Sequence, residues 1–285
     1  MREFLSASHD IVFKALFVRN PDLLRAFLRD VLDLDISDED EVTILNEELI
    51  PLAIDGKLSR LDVHVRTATQ KFNIEMQARS VGFNAERILY YWSQMYGNDF
   101  KAGEEYADLV QTFSVNILGY NFLNCPEYHS SYSLREDKRH EKLTDKMSVH
   151  VFELPKVPKN LVGSDNVQMW MELIRANSEE ALSMVKNTAQ NPSIQEAVDA
   201  VHTINADEAF REQVRLREKA LNDYYNEINI VRAEGLAEGL AKGREESRFD
   251  TLAELVKEGV LDVVIAAKKA NVSVSEFAVK AGLTG

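Results

Sequence analysis

Cysteine is nearly absent: Cys125 is the single one among 285 residues. One thiol allows neither an intrachain disulfide nor a cysteine-based zinc site, and Cys125 reads as a packing residue. Proline is scarce, with 6 in the chain, so each one counts as a break. No window approaches the ~20 consecutive apolar residues of a membrane helix. The opening Met1-Arg2-Glu3-Phe4-Leu5-Ser6 lacks the apolar core of a signal peptide. A cytoplasmic protein with no membrane partner is expected. Excess positive charge is missing too: the formal net charge is −14, which argues against a surface that grips nucleic acid all over. No glycine-rich phosphate loop occurs, so no nucleotide cofactor is expected. His9, His64, His140 and His150 are scattered, with no pair at zinc-helix spacing.

What is present is the composition of a soluble protein with a real core, 45% hydrophobic and 28% charged. The length suits one large domain or two modest ones. Ser8 or Asp10 caps a first helix, and Pro21 opens a second whose Leu23, Leu24, Phe27, Leu28, Val31 and Leu32 recur at spacings of three and four. After an acidic loop from Asp33 to Glu41, Val42 to Leu45 reads as a short strand. Gly82 to Phe100 is helical, with Gly103 as a left-handed terminal cap. Leu109–Leu118, Tyr128–Leu134 and Ser148–Leu154 are strands. This order of helices and strands is an α/β arrangement with a small mixed sheet.

Pro155-Lys156-Val157-Pro158-Lys159 breaks both periods and reads as a boundary. Beyond it the chain is helical, ending in a run from Asp207 to Arg248. Inside that run Gly235, Gly239 and Gly243 recur every fourth residue within Glu-Gly repeats. Such a stripe permits close helix–helix approach in an oligomer stalk, or it marks a hinge of marginal helicity, since each glycine costs about 1 kcal/mol against alanine. From Phe249 to Gly285, short helices with Ser273 or Ser275 as a cap resemble a helix-turn-helix, although arginine is scarce there.

The most informative stretch is central. Leu61, Val63 and Val65 alternate with Asp62, His64 and Arg66. Phe72, Ile74 and Met76 alternate with Asn73, Glu75 and Gln77. Thr67 to Lys71 connects them, so a β-hairpin is the simplest pairing. Asp and Glu are poor strand formers. A hairpin can bring Asp62 and Glu75 within ~5–8 Å, where two carboxylates repel unless a cation or proton lies between them. With the Met76 carbonyl they offer an oxygen cage for Mg²⁺ or Mn²⁺. The plain alternative is a pair of exposed charges on the polar face of an edge hairpin. From Gly56 to Lys101 the segment carries seven basic and four acidic residues, a local excess of positive charge in an acidic chain.

Four blocks in order carry a resemblance: His9-Asp10-Ile11-Val12-Phe13-Lys14-Ala15-Leu16-Phe17, Arg60-Leu61-Asp62-Val63, Asn73-Ile74-Glu75-Met76-Gln77 and Arg87-Ile88-Leu89-Tyr90-Tyr91-Trp92. Together they resemble the PD-(D/E)XK nuclease superfamily and, within it, the Rpn-type recombination-promoting nuclease/transposase family of bacteria. The likeness runs from about Ser8 to Leu154 and loosely into the Glu-Gly repeats. It implies a restriction-endonuclease-like α/β core, a small mixed sheet flanked by helices, followed by an α-helical C-terminal region. The expected division is 1–158 nuclease-like domain, 159–248 helical region with the repeat stalk, and 249–285 small helical tail. The resemblance further implies DNA as partner and metal-dependent DNA cleavage, with Mg or Mn held by Asp62, Glu75 and the Met76 carbonyl. Arg60, Arg87 and Tyr91 would contact the nucleic acid. Gln77 stands where most of the superfamily has lysine. Glutamine orients water but supplies no charge, so Lys14 or Lys57 would complete the site. Glu48 and Asp10 are candidates for a further acidic ligand, although Asp10 reads first as a helix cap. A catalytically weak or inactive module that binds DNA or a partner, and that forms a homo-oligomer through its tail, is the other class of function.

Overall fold

The computed structural model of the chain describes residues 4–46, 62–80, 84–98, 100–101 and 103–283. Helix α1, Asp10–Val18, is buried continuously from Ile11 to Phe17. Asp10 accepts the N–H of Ile11 at 2.8 Å, as a first-turn acid should. Helix α2, Pro21–Leu32, starts on a proline, where the missing N–H removes no helix bond, and turns its leucines and Phe27 inward.

Among the described residues six strands form one mixed sheet. They are β1 Thr43–Ile44, β2 Val63–Arg66, β3 Gln70–Gln77, β4 Gln111–Leu118, β5 His129–Tyr132 and β6 Met147–Glu153, in the spatial order β1-β2-β3-β4-β6-β5. β2 and β3 form the antiparallel hairpin that their alternation predicts, with Val63 opposite Ile74 and Val65 opposite Phe72. β3, β4 and β6 run parallel. Parallel neighbours need a crossover, and helix α3, Ala85–Gly97, supplies the one between β3 and β4. It stops at Gly97, so Gly103 does not cap it; Gly103 takes its left-handed φ of 97° in the following turn.

Parallel strands are covered on both faces, and this sheet follows the rule. Val63, Val65, Phe72, Ile74, Met76, Phe113, Val115 and Phe152 enter the main core with α1 and α2. On the other face Leu118, Val149 and Val151 pack with Ile88 of α3. The polar face of β3 is therefore covered by α3, and the burial of both Asp62 and Glu75 removes their reading as exposed charges.

The proline pair at 155 and 158 ends β6 but does not end the domain. Helices α4 Asn166–Arg175, α5 Glu179–Thr188 and α6 Pro192–Ala206 bury Trp170, Ile174, Leu182, Val198 and Val201 in the same core as α1 and α2. Trp170 meets Phe27 edge-on at 5.5 Å. Asn205 ties α6 to the N-terminal segment, accepting from Leu5 N at 2.8 Å and donating to Leu5 O at 2.9 Å. The chain accordingly divides into compact units at Met1–Arg215 and Leu216–Gly285. The boundary expected at 158 is corrected because the apolar faces beyond it complete the first core.

Helix α7, Glu208–Lys257, runs through 50 residues, further than the expected run to Arg248, and the glycine repeat lies inside it as continuous helix. In the second unit its end packs with α8, Val263–Ala270, and α9, Val274–Lys280, around Leu252, Ala266, Ala267 and Phe277. Ser273 caps α9 by accepting from Glu276 N at 3.2 Å. Among the described residues no helix is long and apolar enough to cross a membrane.

The edge of the sheet joins two histidines that sequence spacing leaves unconnected. His129 Nε2 lies 3.0 Å from His150 Nδ1, and His150 Nε2 lies 2.8 Å from Ser148 Oγ. Burial, reinforced by His129, lowers the His150 pKa to about 4, and burial lowers that of His129. Both are neutral in the fold at pH 7. As pH falls below the ordinary histidine value of ~6.5, the unfolded chain takes up protons first. Stability is therefore full above that value and declines towards about pH 4, by about 3 kcal/mol for His150 when the proton costs are integrated. Urea titrations at stepped pH should show this slope, and His150→Gln should flatten it.

Candidate active site

Strand β3 follows its sequence alternation: Phe72, Ile74 and Met76 enter the core, and Asn73, Glu75 and Gln77 take the opposite face under α3. Glu75 is 1% exposed. A carboxylate that deep needs partners. Gln77 Nε2 donates to its Oε1 at 2.5 Å, and the Arg87 guanidinium forms an ion pair with the same oxygen. Arg87 occupies the first turn of α3, which Asn84 caps by accepting the Arg87 backbone N–H at 2.9 Å. The cap sets where the helix starts, and so which face of its first turn looks down on β3.

The hairpin register brings in the second carboxylate. Val63 pairs with Ile74 and His64 with Asn73, so the next residues in register are Asp62 and Glu75. Asp62 is 6% exposed. Its backbone is held by Asn46, whose Nδ2 donates to Asp62 O at 2.6 Å and whose Oδ1 accepts from His64 N at 2.8 Å. Asn46 thus continues the ladder with its side chain just past β1. Carbonyls alternate in direction along a strand. Gln77 O accepts from Gly119 N at 2.9 Å on the β4 side, so the Met76 carbonyl points to the β2 side, the side of Asp62. The close approach behind this bond favours glycine, since a Cβ at Gly119 would lie 3.1 Å from Ala78 O and the backbone would have to give by a few tenths of an ångström.

Asn116 stands opposite Glu75 on β4 and donates to Ser114 Oγ and His150 O, both at 3.1 Å. Burial pushes the Tyr120 hydroxyl up to about 12, and the nearby negative charge of Glu75 adds to it. Asn46, Asn116 and Tyr120 were not singled out by sequence. The one available signal was a run of polar residues, Thr112, Ser114 and Asn116, on a strand too long and apolar to be half-solvated.

Lys14 lies on buried α1, 2% exposed, with apolar neighbours on both sides in the helix. Helix α1 packs against β2 and β3. Burial, followed by the charge of Lys14, lowers the pKa of His64, two residues from Asp62. Tyr91 is half-buried one turn after Arg87 and meets Tyr90 edge-on at 5.2 Å. Arg87, expected at a phosphate, is instead joined to Glu75. Lys57, Arg60 and Glu48 lie outside the described residues. Among the described residues no group of three or more His, Cys, Asp and Glu side chains converges as a metal cluster. Among the described residues the structure joins Glu75, Gln77 and Arg87, places Asp62 at the start of the hairpin and puts Lys14 on the helix that packs against it.

Neither a curated protein nor a solved structure matches the chain. A family model does, and it extends through the three helices, α4 to α6, that complete the core beyond Pro158. Matching that model over residues 7–230, the chain belongs to the PD-(D/E)XK nuclease family transposases.

Proposed function

We propose that this nuclease-family protein is a metal-dependent DNA endonuclease that hydrolyses phosphodiesters, with Asp62 and Glu75 as ligands of Mg²⁺ or Mn²⁺. The observation that carries the reading is that Asp62 and Glu75, both nearly inaccessible, lie one step beyond the Val63–Ile74 pair of the hairpin. Buried like charges are tolerated only with positive charge between or beside them. Two carboxylates and the Met76 carbonyl make an all-oxygen donor set, which suits a hard divalent cation. When bound, such a cation supplies Lewis-acid activation of water and of the phosphodiester.

The chain's own residues do the rest. Gln77 orients Glu75 through its amide and can orient water, but it brings no charge. Lys14 supplies that charge from α1: a buried ammonium is costly without a negative neighbour, and its field already reaches the hairpin. Tyr91, Arg87 and Arg60 contact the DNA, and Lys57 is the other lysine that would complete the site. A titration of Mg²⁺ and Mn²⁺ against plasmid DNA tests the reading. The wild type should nick in a metal-dependent manner, and Asp62→Ala should abolish nicking with its circular dichroism unchanged. Undiminished cleavage by Asp62→Ala would sink the assignment. Metal-dependent DNA binding by the wild type without product would favour the non-cutting module, the reading that Gln77 supports.

For the partner we propose a second copy of this chain, acting in the cytoplasm and associating through α7. Leu236 and Leu240 are exposed on its glycine-bearing stretch, and glycines every fourth residue let helix axes approach closely. Leu236→Lys with Leu240→Lys in the full chain should convert an oligomer to a monomer in sedimentation velocity. An unchanged sedimentation coefficient would exclude α7 as the contact.

A further inference from the structure

Arg87 sits where a cation and a phosphate would both meet the chain. Its guanidinium is paired with Glu75, yet its side chain is 16% exposed while that of Glu75 is 1% exposed. Part of the Arg87 side chain thus reaches solvent while the carboxylate does not, although the guanidinium Nε is itself buried. Gln77 and Arg87 both converge on Oε1 of Glu75. A divalent cation at that carboxylate competes for the electron pairs that Arg87 now uses.

We propose that Arg87 is a positioning residue that changes partner. With no cation present it holds Glu75; when a divalent cation occupies Glu75, the guanidinium turns outward and takes a DNA backbone phosphate. The reading of Asp62 and Glu75 as cation ligands is the ground it rests on. The sign of the electrostatics supports it. While no cation is bound, the charges of Lys14 and Arg87 are offset by Asp62 and Glu75, so the pair offers a phosphate no net attraction. A divalent cation neutralises both carboxylates and leaves the guanidinium in excess, which attracts one. Arginine suits the second role because its fork matches two phosphate oxygens. The geometry suits it as well: Arg87 lies in the first turn of a helix whose start is fixed by Asn84, so the side chain can swing while the backbone stays. Cation and DNA then bind cooperatively, each tightening the other by the same factor.

Calcium, which serves as a divalent probe, and a fluorescein-labelled duplex test the exchange in the full-length protein. Calorimetry reads Ca²⁺ affinity, and anisotropy reads duplex affinity with and without saturating Ca²⁺. For the wild type we expect Ca²⁺ to tighten the duplex at least tenfold. Arg87→Gln should bind Ca²⁺ several-fold more tightly, because the competitor for Glu75 is gone, and should lose most of the duplex tightening. A residue that merely supports the fold would weaken Ca²⁺ binding instead. Arg87→Lys keeps the charge without the fork and should fall between the two; it also carries the test where Arg87→Gln does not fold. Tightening of the duplex by Ca²⁺ that persists in Arg87→Gln or in Arg87→Lys at the wild-type level overturns the exchange. Failure of the underlying site reads differently: the wild type and Glu75→Gln would then show the same Ca²⁺ isotherm.

Discussion

Glu75→Gln is expected to lower metal-dependent cleavage by about a thousandfold, equivalent to ~4 kcal/mol of lost transition-state stabilisation. The substitution keeps the shape of the side chain and removes its charge. Gln77 can still hydrogen-bond to the new amide oxygen, so the local packing survives. What disappears is the anion that pairs with Arg87 and that the proposed divalent cation would require. The same change acts on stability. Breaking a buried ion pair by neutralising one member costs ~3–5 kcal/mol when the remaining charge is trapped. Arg87 retains access to solvent on its outer side, so a smaller loss, on the order of 1–2 kcal/mol, is expected here. Single-turnover cleavage and urea unfolding measured on one preparation separate the two effects. Cleavage within tenfold of wild type would remove Glu75 from the reaction, whatever the unfolding midpoint does.

Trp170→Ala should have the largest effect on stability, about 3–5 kcal/mol. Trp170 is fully buried between the helices that precede the sheet and those that follow it, with its ring 5.5 Å from Phe27 and 6.4 Å from Phe17. Its indole N–H donates to Asp30 Oδ2 at 2.8 Å, the oxygen that Asn191 Nδ2 also approaches at 2.8 Å. Removing the ring leaves a large cavity and deprives Asp30 of one donor. Trp170→Phe keeps most of the apolar volume and isolates the hydrogen bond, for which about 1–2 kcal/mol is expected. Urea midpoints of the two variants give the comparison. Because α1, α2 and α4 to α6 share that core, unfolding of the first unit should be a single transition. A chain cut at Pro158 would expose the faces of Phe17 and Phe27 and should not remain soluble as a folded domain.

The elements of the fold were legible because each is encoded locally. Three- and four-residue spacing marked α2, period-two alternation marked β2 and β3, and the polar turn between them dictated an antiparallel hairpin. The candidate acids were legible for the same reason: Asp62 and Glu75 contradict their own strands, and the hairpin turn alone brings them into register. Gln77, read as a substitute for lysine, bonds directly to Glu75 in the structure.

Other features depend on residues far apart in the chain. That Arg87 closes on Glu75 follows from where α3 docks, which no residue within either segment encodes. The cover over the polar face of β3 follows from the parallel arrangement of β3, β4 and β6, whereas the approach of His129 to His150 follows from the antiparallel pairing of the edge strand β5 with β6. The pause at Pro155 and Pro158 looked like the end of a domain because prolines break backbone periodicity; they carry no information about which apolar faces still need covering. Sequence alone determined the periodicity of the elements and the pairing of two carboxylates, since both arise from neighbours along the chain. Only the tertiary structure decided what covers Glu75, that Arg87 pairs with it and how far the core extends, because burial is set by surfaces that meet in space and lowers the dielectric around whatever charges they enclose.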